Sequence, residues 1–314
     1  MTQATASAPA SIGNVGPGFD ILGQAFDAAR DTVVAEREDA PGVRLGAVTG
    51  LVTSLPDTPG RNTALAAAQA VLAAGGATFG VRLSIDKGVP MAAGMGGSAA
   101  SAVAGAVAAN ALLDAPFSIE ELFPFALEGE RVASDPPHWD NVMASLLGGL
   151  VLGAREEPVK LARLPTPAGV ACILFHPEAK IETSSARKLL AKEVPMATVV
   201  EHSRRLAAFM VGCVSGDLDL IRCGLEDVLV EPQRAHLLLA LGAVKAAALE
   251  AGALGCSFSG SGPSVFAWAP DASAAAVEDA MAQAFMEAGL VARAYRAPIA
   301  SEGARVEQMA KLAA

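Results

Sequence analysis

The sequence predicts an α+β fold, because helix-like and strand-like segments follow one another without the strand–helix–strand rhythm of a doubly wound parallel sheet. Strand-like runs are neighbours in "CSFSGSGPSVFAWA" (256–269), on both sides of a Gly/Ser/Pro turn. Helix-like stretches are instead grouped between residues 183 and 251. Of the 314 residues, 52% are hydrophobic and only 4% aromatic, so the core is expected to consist of Ala, Val, Leu, Ile and Met.

Length and charge narrow the class of protein. A chain of 314 residues is long enough for one large domain or two ordinary ones. A formal net charge of -10 argues against nucleic-acid binding, which needs a basic face to replace phosphate counterions. An acidic protein can still hold a small anion, because a few local donors are sufficient.

Helix-start and helix-end signals order the N-terminal half. The apolar stretch 64–75 predicts a helix that ends at Gly75. Ser118 and Glu121 form a capping-box pattern at the start of a predicted helix over 118–133, in which Pro124 predicts a kink or an early break. The other predicted elements of this half are a turn in "GNVGPGFDILG", strands over "DTVVAER", 81–86 and "GGLVLGA", and helices over 98–113 and 140–147.

The C-terminal half is richer in helix. Helices are predicted over 183–192, 197–214, 217–228 and 233–251, a strand over 169–177, two strands within 256–269, and a last helix over 272–288 that leads into "LVARAYRA". The Arg/Pro-rich segment 155–169 is the best candidate for a passage between domains. We therefore predict two domains, residues 1–160 and residues 161–314.

Cysteine usage and the absence of targeting signals predict a cytoplasmic protein. The four cysteines are few for this length, and none has a Cys-x-x-Cys spacing, so we expect free thiols in a reducing compartment. The start "MTQATASAPASIGNV" has neither the basic residues nor the apolar run of a signal peptide. The apolar stretch 98–113 is too short to span a bilayer, so no membrane association is expected.

Residues 94–98, Gly-Met-Gly-Gly-Ser, precede the alanine-rich stretch 98–113. Glycines let a backbone come close to a ligand, and the first turn of a helix carries unpaired N–H groups and a partial positive charge. The combination predicts a phosphate cradle. Ser98 would either cap the helix or reach a Mg²⁺ ion held by the phosphates. The alternative is an ordinary glycine-rich loop in which Ser98 is only a structural cap.

Two familiar phosphate loops are excluded. A Walker A loop needs Gly-Lys-Ser/Thr, which occurs nowhere in the chain. A Rossmann fingerprint must follow its strand directly. Gly94, Gly96 and Ala99 fit the letters of that fingerprint, but "DKGVPMAA" separates them from the preceding strand, and Asp114 follows a helix end rather than a second strand.

Three motifs, in the expected order, resemble those of the GHMP small-molecule kinases. The segment 90–100, "PMAAGMGGSAA", resembles the second motif, from which it departs at Met95 and Gly97. The segment "PASIGNVGPGFDILG" (9–23) resembles the first motif in its homoserine kinase form, and "GALGCSFSGSGPSVFA" (252–267) is similar to the third. The segment "GERVASDPPHWDNVMASLLGG" (129–149) also resembles homoserine kinases, apart from its inserted "SDPP".

The resemblance implies a fold and an activity. The fold would be the two-domain GHMP kinase fold, with a ribosomal S5-like N-terminal domain and a ferredoxin-like C-terminal domain. The activity would be ATP-dependent, Mg²⁺-assisted phosphorylation of L-homoserine in threonine biosynthesis, by a homodimer. Two alternatives stay open: a kinase for another small alcohol of the mevalonate or sugar type, and a non-catalytic nucleotide-binding regulator on the same fold.

The resemblance also implies a nucleotide site. Phosphate-binding residues would be Pro90, Met91, Ala92, Ala93, Gly94, Met95, Gly96, Gly97, Ser98, Ala99 and Ala100. Ser98 and Glu130 would be the Mg²⁺ ligands, and Asn62 and Lys87 are candidates for the adenine pocket. The turn 257–266 would brace the phosphate loop, with Ser261 and Gly262 closest to it. Glu130 could instead be an ordinary solvated carboxylate of its helix.

The implied acceptor site is built from charged and amide side chains. Arg187 and Arg234 would bind the acceptor's carboxylate, because a guanidinium offers two parallel donors. Asn14, Asp20, Asp140 and Asn141 would surround its ammonium and hydroxyl groups. The catalytic candidates are Asn141, Asp20 and Thr183. Because the Asn141 amide cannot take a proton, direct attack by the acceptor hydroxyl is implied, with Asp20 as the alternative base and Thr183 near the transferred group. Ordinary surface, turn and capping roles are the alternatives for these residues, and His138 and His176 are expected to be structural.

Overall fold

The strands of the computed structural model, which describes residues 1–310, form two sheets joined by helices. The N-terminal half contains β1 (Gln3–Gly13), β2 (Leu22–Glu38), β3 (Val43–Gly50), α1 (Thr63–Ala74), β4 (Gly80–Lys87), α2 (Gly97–Asn110), α3 (Phe123–Glu130), α4 (Trp139–Leu147), β5 (Leu150–Arg155) and β6 (Lys160–Leu164). The C-terminal half contains β7 (Val170–Pro177), α5 (Thr183–Lys188), α6 (Met196–Ser215), α7 (Leu218–Gly224), α8 (Glu231–Arg234), α9 (Leu241–Glu250), β8 (Gly255–Phe258), β9 (Val265–Pro270), α10 (Asp271–Glu287), β10 (Ala292–Pro298) and β11 (Arg305–Ala310).

The first sheet has seven strands, and its main path runs β11-β1-β2-β4-β3. The long strand β2 pairs with β4 through its C-terminal part and with β5 through Leu22–Gln24, and β6 extends the sheet from β5. The pair β3–β4 is parallel and the other pairs are antiparallel. Strand β11 returns from the end of the C-terminal half to pair with β1, so both halves of the chain contribute to this sheet.

The second sheet is antiparallel in the order β10-β7-β9-β8. Numbered along the chain, these four strands have the order 4-1-3-2, the antiparallel order of a ferredoxin-like unit. Helices α8, α9 and α10 lie between its strands in sequence, and buried residues of α9 and α10 share a core with one face of the sheet. The predicted α+β fold with a ferredoxin-like C-terminal part is therefore confirmed.

The alanine-rich helix α2 is the centre of the N-terminal core. Every residue from Ala99 to Asn110 is buried, and α1, α3 and the first sheet pack around them. A second core joins the two sheets. There the Trp268 ring packs on Phe209 with centroids 5.2 Å apart, and its indole Nε1 donates a hydrogen bond of 2.8 Å to Gln24 Oε1. This contact fixes β9 of the second sheet against β2 of the first.

Most predicted elements are confirmed within a few residues, and the exceptions are a helix that is interrupted and strands that were not predicted. The proposed passage 155–169 contains β6, which forms a hairpin with β5, and the chain then crosses to the second sheet over residues 165–169. The predicted helix 233–251 is interrupted after α8 and begins again as α9. Strands β1, β3, β6 and β11 were not expected. The predicted domain limit after residue 160 falls within β6 and stays a prediction.

The capping box is confirmed, although the helix it starts is short. Glu121 Oε2 accepts hydrogen bonds from the Ser118 amide (2.8 Å) and Oγ (2.7 Å), while the Glu121 amide donates to Ser118 Oγ (3.4 Å). The box begins a 3₁₀ turn, Glu120–Leu122, and Pro124 follows in the first turn of α3. The early break expected at Pro124 is therefore present. No helix within residues 1–310 is long and apolar enough to cross a membrane.

Candidate active site

One cavity of about 410 Å³ is lined by residues from both halves of the chain. From the N-terminal half its wall contains the turn after β1, the loop before α2, the end of α3 and the start of α4. From the C-terminal half it contains residues of α5, of α8 and of the turn between β8 and β9. The structure thus brings most of the predicted site residues around a single space.

The glycine loop, which we define as residues 88–96 between β4 and α2, needs glycine at two positions. Gly94 and Gly96 have left-handed φ values of 71° and 64°. A Cβ on Gly96 would lie 2.0 Å from Ser11 Oγ, and one on Gly94 would lie 2.6 Å from the Ser259 carbonyl oxygen. Backbone conformation and close packing therefore both exclude larger residues at these positions.

The turn between β8 and β9 holds this loop, as expected from the third motif. Ser259 Oγ donates a 2.6 Å hydrogen bond to the carbonyl of Gly94, and the Ser264 amide donates a 3.3 Å bond to the carbonyl of Ala93. The contacts are made by these two serines rather than by the hydroxyl of Ser261. The Ser11 amide holds the Met95 carbonyl from the other side, at 3.0 Å. Three successive carbonyls of the loop are thereby fixed.

The N-terminus of α2 opens directly onto the cavity. Its N-cap is Gly96, which has no side chain to accept from the first-turn amides, and there is no acidic residue in that turn. The capping role considered for Ser98 is therefore wrong: this residue lies within the first turn, and its Oγ donates to Glu130 Oε1 at 2.9 Å. Amides without a side-chain partner at the start of a 14-residue helix are suited to bind an anion.

A buried ion pair that sequence reasoning missed lies beneath the glycine loop. Asp31 of β2 is fully buried and accepts hydrogen bonds from the amides of Gly88 (3.1 Å) and Val89 (3.0 Å). Its carboxylate also pairs with Lys87 Nζ, which donates to the Gly97 carbonyl at 3.0 Å and to Ser101 Oγ at 2.9 Å. The pair therefore ties β2 and β4 to the start of the loop and to the first turns of α2.

Lys87 and Asn62 were predicted to contact adenine, and both line the cavity. Lys87 is engaged as just described. Asn62 is the N-cap of α1: its Oδ1 accepts from the amides of Ala64 (3.1 Å) and Leu65 (3.3 Å), and its Nδ2 donates to Pro56 O at 2.8 Å. Each side chain thus has a structural role, and a contact with adenine stays a prediction.

Glu130 is buried at the end of α3 and has one free carboxylate oxygen. Its Oε1 accepts from Ser98 Oγ and lies 3.1 Å from His138 Nδ1. Its Oε2 is buried and has no hydrogen-bond partner among the described residues. A buried carboxylate oxygen is costly to leave unpaired, and carboxylate and hydroxyl oxygens are the ligands that Mg²⁺ prefers. The donor set of Ser98 and Glu130 therefore fits a Mg²⁺ ion.

His138, which we expected to be structural, lies in the cavity wall beside Glu130. Burial disfavours the charged imidazolium, but the hydrogen bond to Glu130 and the charges of Asp140 and Glu130 outweigh burial, and the pKa of His138 is raised above its usual value. Asp140 is fully buried, and this burial raises its pKa although the charge of His138 opposes the effect. The sequence around His138, His-Trp-Asp, contains no feature that distinguishes a histidine in a cavity wall from one that only packs in the protein interior.

The part of the cavity wall that the sequence predicts to bind the acceptor, which we call the acceptor half, begins at the left-handed turn after β1. The Asn14 amide donates to Asp140 Oδ2 at 3.0 Å, and Asn14 Nδ2 donates to Gly260 O at 3.0 Å. Asp140 Oδ1 accepts from the Asn141 amide at 2.9 Å, and Asn141 Oδ1 accepts from Ser11 Oγ at 3.0 Å. Asn14, Asp140 and Asn141 are thus held together at the start of α4, below the N-terminus of α2.

Arg187, Arg234 and Asp20 complete this half of the cavity. Both terminal nitrogens of Arg187 donate to the carboxylate of Asp20, each at 2.9 Å. Arg234 is 3% exposed, and its Nε donates to the carbonyl of Ala186 at 3.1 Å. The ring of Phe19, which sequence reasoning did not single out, lies near both arginines, with its centroid 5.5 Å from Arg187 Cζ and 5.4 Å from Arg234 Cζ.

The remaining predicted residues divide between the cavity wall and the core. Thr183 lines the cavity, and its Oγ1 lies 3.1 Å from Ser261 Oγ. Besides Ser98, the members of the second motif that line the cavity are Met91, Ala92, Ala93, Gly94, Gly96 and Gly97. Four members are not brought to the wall: Met95, Ala99 and Ala100 are buried in the core, and Pro90 faces a neighbouring cleft.

Comparison with known proteins agrees with this geometry. The family models described as GHMP kinases N terminal domain and GHMP kinases C terminal match residues 62–149 and 209–288. A homoserine kinase of Xanthomonas campestris pv. campestris (strain B100) is 48% identical over 98% of this chain and 94% of its own length. A homoserine kinase of Xylella fastidiosa (strain 9a5c) is 46% identical over 97% of this chain and 94% of its own length.

The fold of this chain is also similar to that of a solved structure. The crystal structure of homoserine kinase from Cytophaga hutchinsonii superimposes with a TM-score of 0.93 at 36% identity, covering 98% of both chains. The resemblance carried by the three motifs is thus confirmed over nearly the whole length. The chain therefore belongs to the GHMP kinase family, and within that family to the homoserine kinases.

Proposed function

We propose that this protein transfers the terminal phosphoryl group of ATP to the side-chain hydroxyl of L-homoserine, giving ADP and O-phospho-L-homoserine for threonine biosynthesis. One observation carries the proposal: a single cavity holds an anion-binding helix N-terminus and a cluster of charges complementary to an amino acid. The names and the full-length similarity of the relatives support the same activity.

Phosphoryl transfer depends mainly on positioning and on neutralising charge, and the glycine loop serves both needs. The first-turn amides of α2 and the exposed backbone around Gly94 and Gly96 would bind the β- and γ-phosphates. Asp31 and Lys87 fix the loop from below, and Ser259 fixes it from the side. The loop is therefore shaped before a nucleotide arrives, which reduces the cost of ordering it.

We propose Ser98 and Glu130 as the ligands of Mg²⁺. The ion would neutralise charge on the bound phosphates. Two protein ligands are sufficient, because Mg²⁺ keeps several of its waters. Residues 1–310 contain no cluster of three or more His, Cys, Asp or Glu side chains that could hold a metal ion. His138 would orient Glu130 by donating to Oε1.

The acceptor would lie between the glycine loop and the two arginines. Arg234 and Arg187 would bind its carboxylate, and Asn14, Asp20 and Asp140 would bind its ammonium group. Asn141 would orient the hydroxyl, with Thr183 next to the transferred group. The amide of Asn141 cannot accept a proton, so we propose direct attack by the positioned hydroxyl, whose proton leaves to the phosphate or to solvent. The loose transition state of phosphoryl transfer makes little demand on a base.

An assay of ADP release with L-homoserine, mevalonate and galactose as acceptors tests the proposal. We expect turnover with L-homoserine only. Mevalonate also carries a carboxylate, but it has no ammonium group to match the carboxylates of Asp20 and Asp140. Release of ADP with mevalonate or galactose and none with L-homoserine would contradict the proposal, and ATP binding without any ADP release would indicate a regulator.

We also propose that the protein is a cytoplasmic homodimer. The resemblance to homoserine kinases supports the dimer. The four cysteines support a reducing compartment, because all of them are free thiols and Cys172, Cys213 and Cys256 are buried. Sizing chromatography with light scattering is expected to give twice the mass of one chain.

A further inference from the structure

The two arginines of the acceptor half are in different states. Arg234 is almost completely buried, and no described residue accepts a hydrogen bond from its terminal nitrogens. Arg187 is one third exposed, and the two terminal nitrogens of its guanidinium group, which we call its fork, already donate to Asp20, each at 2.9 Å. One fork is therefore open to the cavity, and the other is closed by a carboxylate of the protein itself.

The charges around Phe19 are unbalanced. Two guanidinium groups lie within 5.5 Å of this ring, and Asp20 is the carboxylate that bonds to one of them. Burial lowers the pKa of Arg234, and the charge of Arg187 lowers it further, whereas Asp20 and Asp227 partly compensate. One additional carboxylate beside the two arginines would balance these charges, and the proposed acceptor carries one.

We propose that Asp20 holds the fork of Arg187 in place of the acceptor's carboxylate, and that this carboxylate displaces Asp20 when the acceptor binds. The inference rests on the proposed function, because it requires an acceptor with a carboxylate. Asp20 lies in the turn after β1 and Arg187 in α5, so the pair bridges the two halves of the chain at the cavity. The exchange replaces one carboxylate by another on the same planar donor.

The exchange makes Asp20 a specificity-determining residue. A carboxylate that takes over Arg187 frees Asp20, whose oxygens can then accept from the acceptor's ammonium group. An alcohol without a carboxylate leaves Asp20 paired and gains neither contact. Recognition of the two charged groups of an amino acid is thereby coupled, which favours amino acids over molecules that carry only one of these groups.

The test uses 4-hydroxybutyrate, which has the hydroxyl and the carboxylate of the acceptor but no ammonium group. In Asp20→Asn the fork of Arg187 has no carboxylate partner, and Asn tolerates the left-handed φ of 58° at this position. We expect the Kd of 4-hydroxybutyrate, measured by calorimetry, to fall about fivefold relative to the unmodified chain, as for release of a partly exposed ion pair. If Asp20 only keeps Arg187 in place, the Kd will be unchanged or higher, and the proposal is overturned.

Two further variants separate the exchange from a general charge effect. Removing Asp20 also removes a negative charge, so the same substitution is made in the background of Arg187→Met. The exchange predicts that the gain disappears there, and an equal gain in both backgrounds overturns it. Glu182→Gln removes an exposed carboxylate that pairs with Lys180, next to α5, and is expected to leave the Kd unchanged.

With L-homoserine, the Asp20→Asn variant is expected to change in the opposite direction. Asp20→Asn is expected to lower kcat/KM for L-homoserine, because the ammonium contact is lost, while it raises kcat/KM for 4-hydroxybutyrate. A structure with bound L-homoserine in which both Asp20–Arg187 hydrogen bonds persist would overturn the exchange. A failure to release ADP from ATP with L-homoserine would contradict the proposed function. The exchange would still be decided by the Kd values, because calorimetry does not depend on turnover.

Discussion

The two halves of the cavity are constructed differently. In the half that contains the glycine loop, which we propose to bind the nucleotide, backbone amides and carbonyls contribute to the wall, and a pair that is almost completely buried, Asp31 with Lys87, fixes them. In the acceptor half, charged side chains form the wall, and the pair of Asp20 with Arg187 is 33–40% exposed. The glycine-loop half is therefore held by buried contacts, whereas the proposed exchange would require charges in the acceptor half to change partners.

This difference predicts different consequences of mutation. A buried pair that loses one member leaves a charge without a partner in a poorly solvated place, which affects the whole fold. A partly exposed pair can be solvated when it separates, so changes there affect affinity more than stability. Four substitutions test this contrast, and they follow in order of decreasing expected effect.

Glu130→Ala is expected to have the largest effect. Loss of the free carboxylate oxygen would lower kcat about a thousandfold, because the positive charge proposed beside the phosphates would lose a ligand. The Mg²⁺ concentration needed for half-maximal rate should rise at the same time. Glu128→Ala in the same helix removes an exposed carboxylate and serves as the control. A variant of Glu130 with unchanged kcat and Mg²⁺ dependence would contradict the assignment.

Lys87→Met tests the buried pair. It leaves the carboxylate of Asp31 without its cation, and we expect the free energy of unfolding in urea to fall by about 3–5 kcal/mol. The double variant with Asp31→Asn should recover part of this loss, because the unpaired charge is gone. Arg82→Met removes one member of an exposed pair with Glu38 and should leave the unfolding midpoint nearly unchanged. Equal effects of Lys87→Met and Arg82→Met would show that burial does not set the pair of Asp31 with Lys87 apart from a surface pair.

Gly96→Ala tests the shape of the glycine loop. Its left-handed φ and the 2.0 Å approach of a Cβ to Ser11 Oγ should together lower kcat/KM for ATP about a hundredfold. Adding Ser11→Ala should restore part of the activity, because the contacting oxygen is removed. A Cβ on Gly60, near the cavity, would meet no atom within 4 Å, so Gly60→Ala is the control. An equal loss in both glycine variants would show that the loop geometry is not the cause.

Arg234→Ala is expected to have the smallest of the four effects. The KM for L-homoserine should rise about thirtyfold and kcat should change little, because one charged hydrogen-bonding group for the carboxylate is lost. The KM for ATP should stay the same, since the glycine loop does not depend on α8. A decrease of kcat with an unchanged KM for L-homoserine would place Arg234 in the chemical step instead.

Local signals in the sequence were sufficient for much of the fold. Helix α1 is marked by its alanine-rich run and by Gly75 after it, and the Ser118–Glu121 box marks the turn before α3. Strand β1 was missed because it is buried at almost every residue and so shows no alternation of polar and apolar side chains. Strands β3 and β11 were missed because most of their side chains are partly or fully exposed, so they lack a buried face that would give an alternating pattern. Their pairing depends on partners that are distant in the chain.

The site was predicted as a set of residues but not as a set of contacts. The resemblance identified Glu130, Arg187 and Asp20, and the structure places all three in one cavity. The resemblance did not indicate that Asp20 and Arg187 form hydrogen bonds with each other, since the two residues are 167 positions apart. Asp31 went unnoticed for a similar reason: no motif contains it, and its importance comes from amides and a lysine more than 50 positions away.

The pairing of β11 with β1 has a consequence for biosynthesis. Gln3 lies opposite Ala310, so the outer edge of β1 is covered by a strand that leaves the ribosome after every other strand of residues 1–310. Until then the nascent chain exposes unpaired backbone groups along that edge, and such an edge can pair with a strand of a neighbouring molecule. Aggregation during translation is therefore expected to increase when residues 305–310 are deleted or delayed, even though the second sheet is already complete.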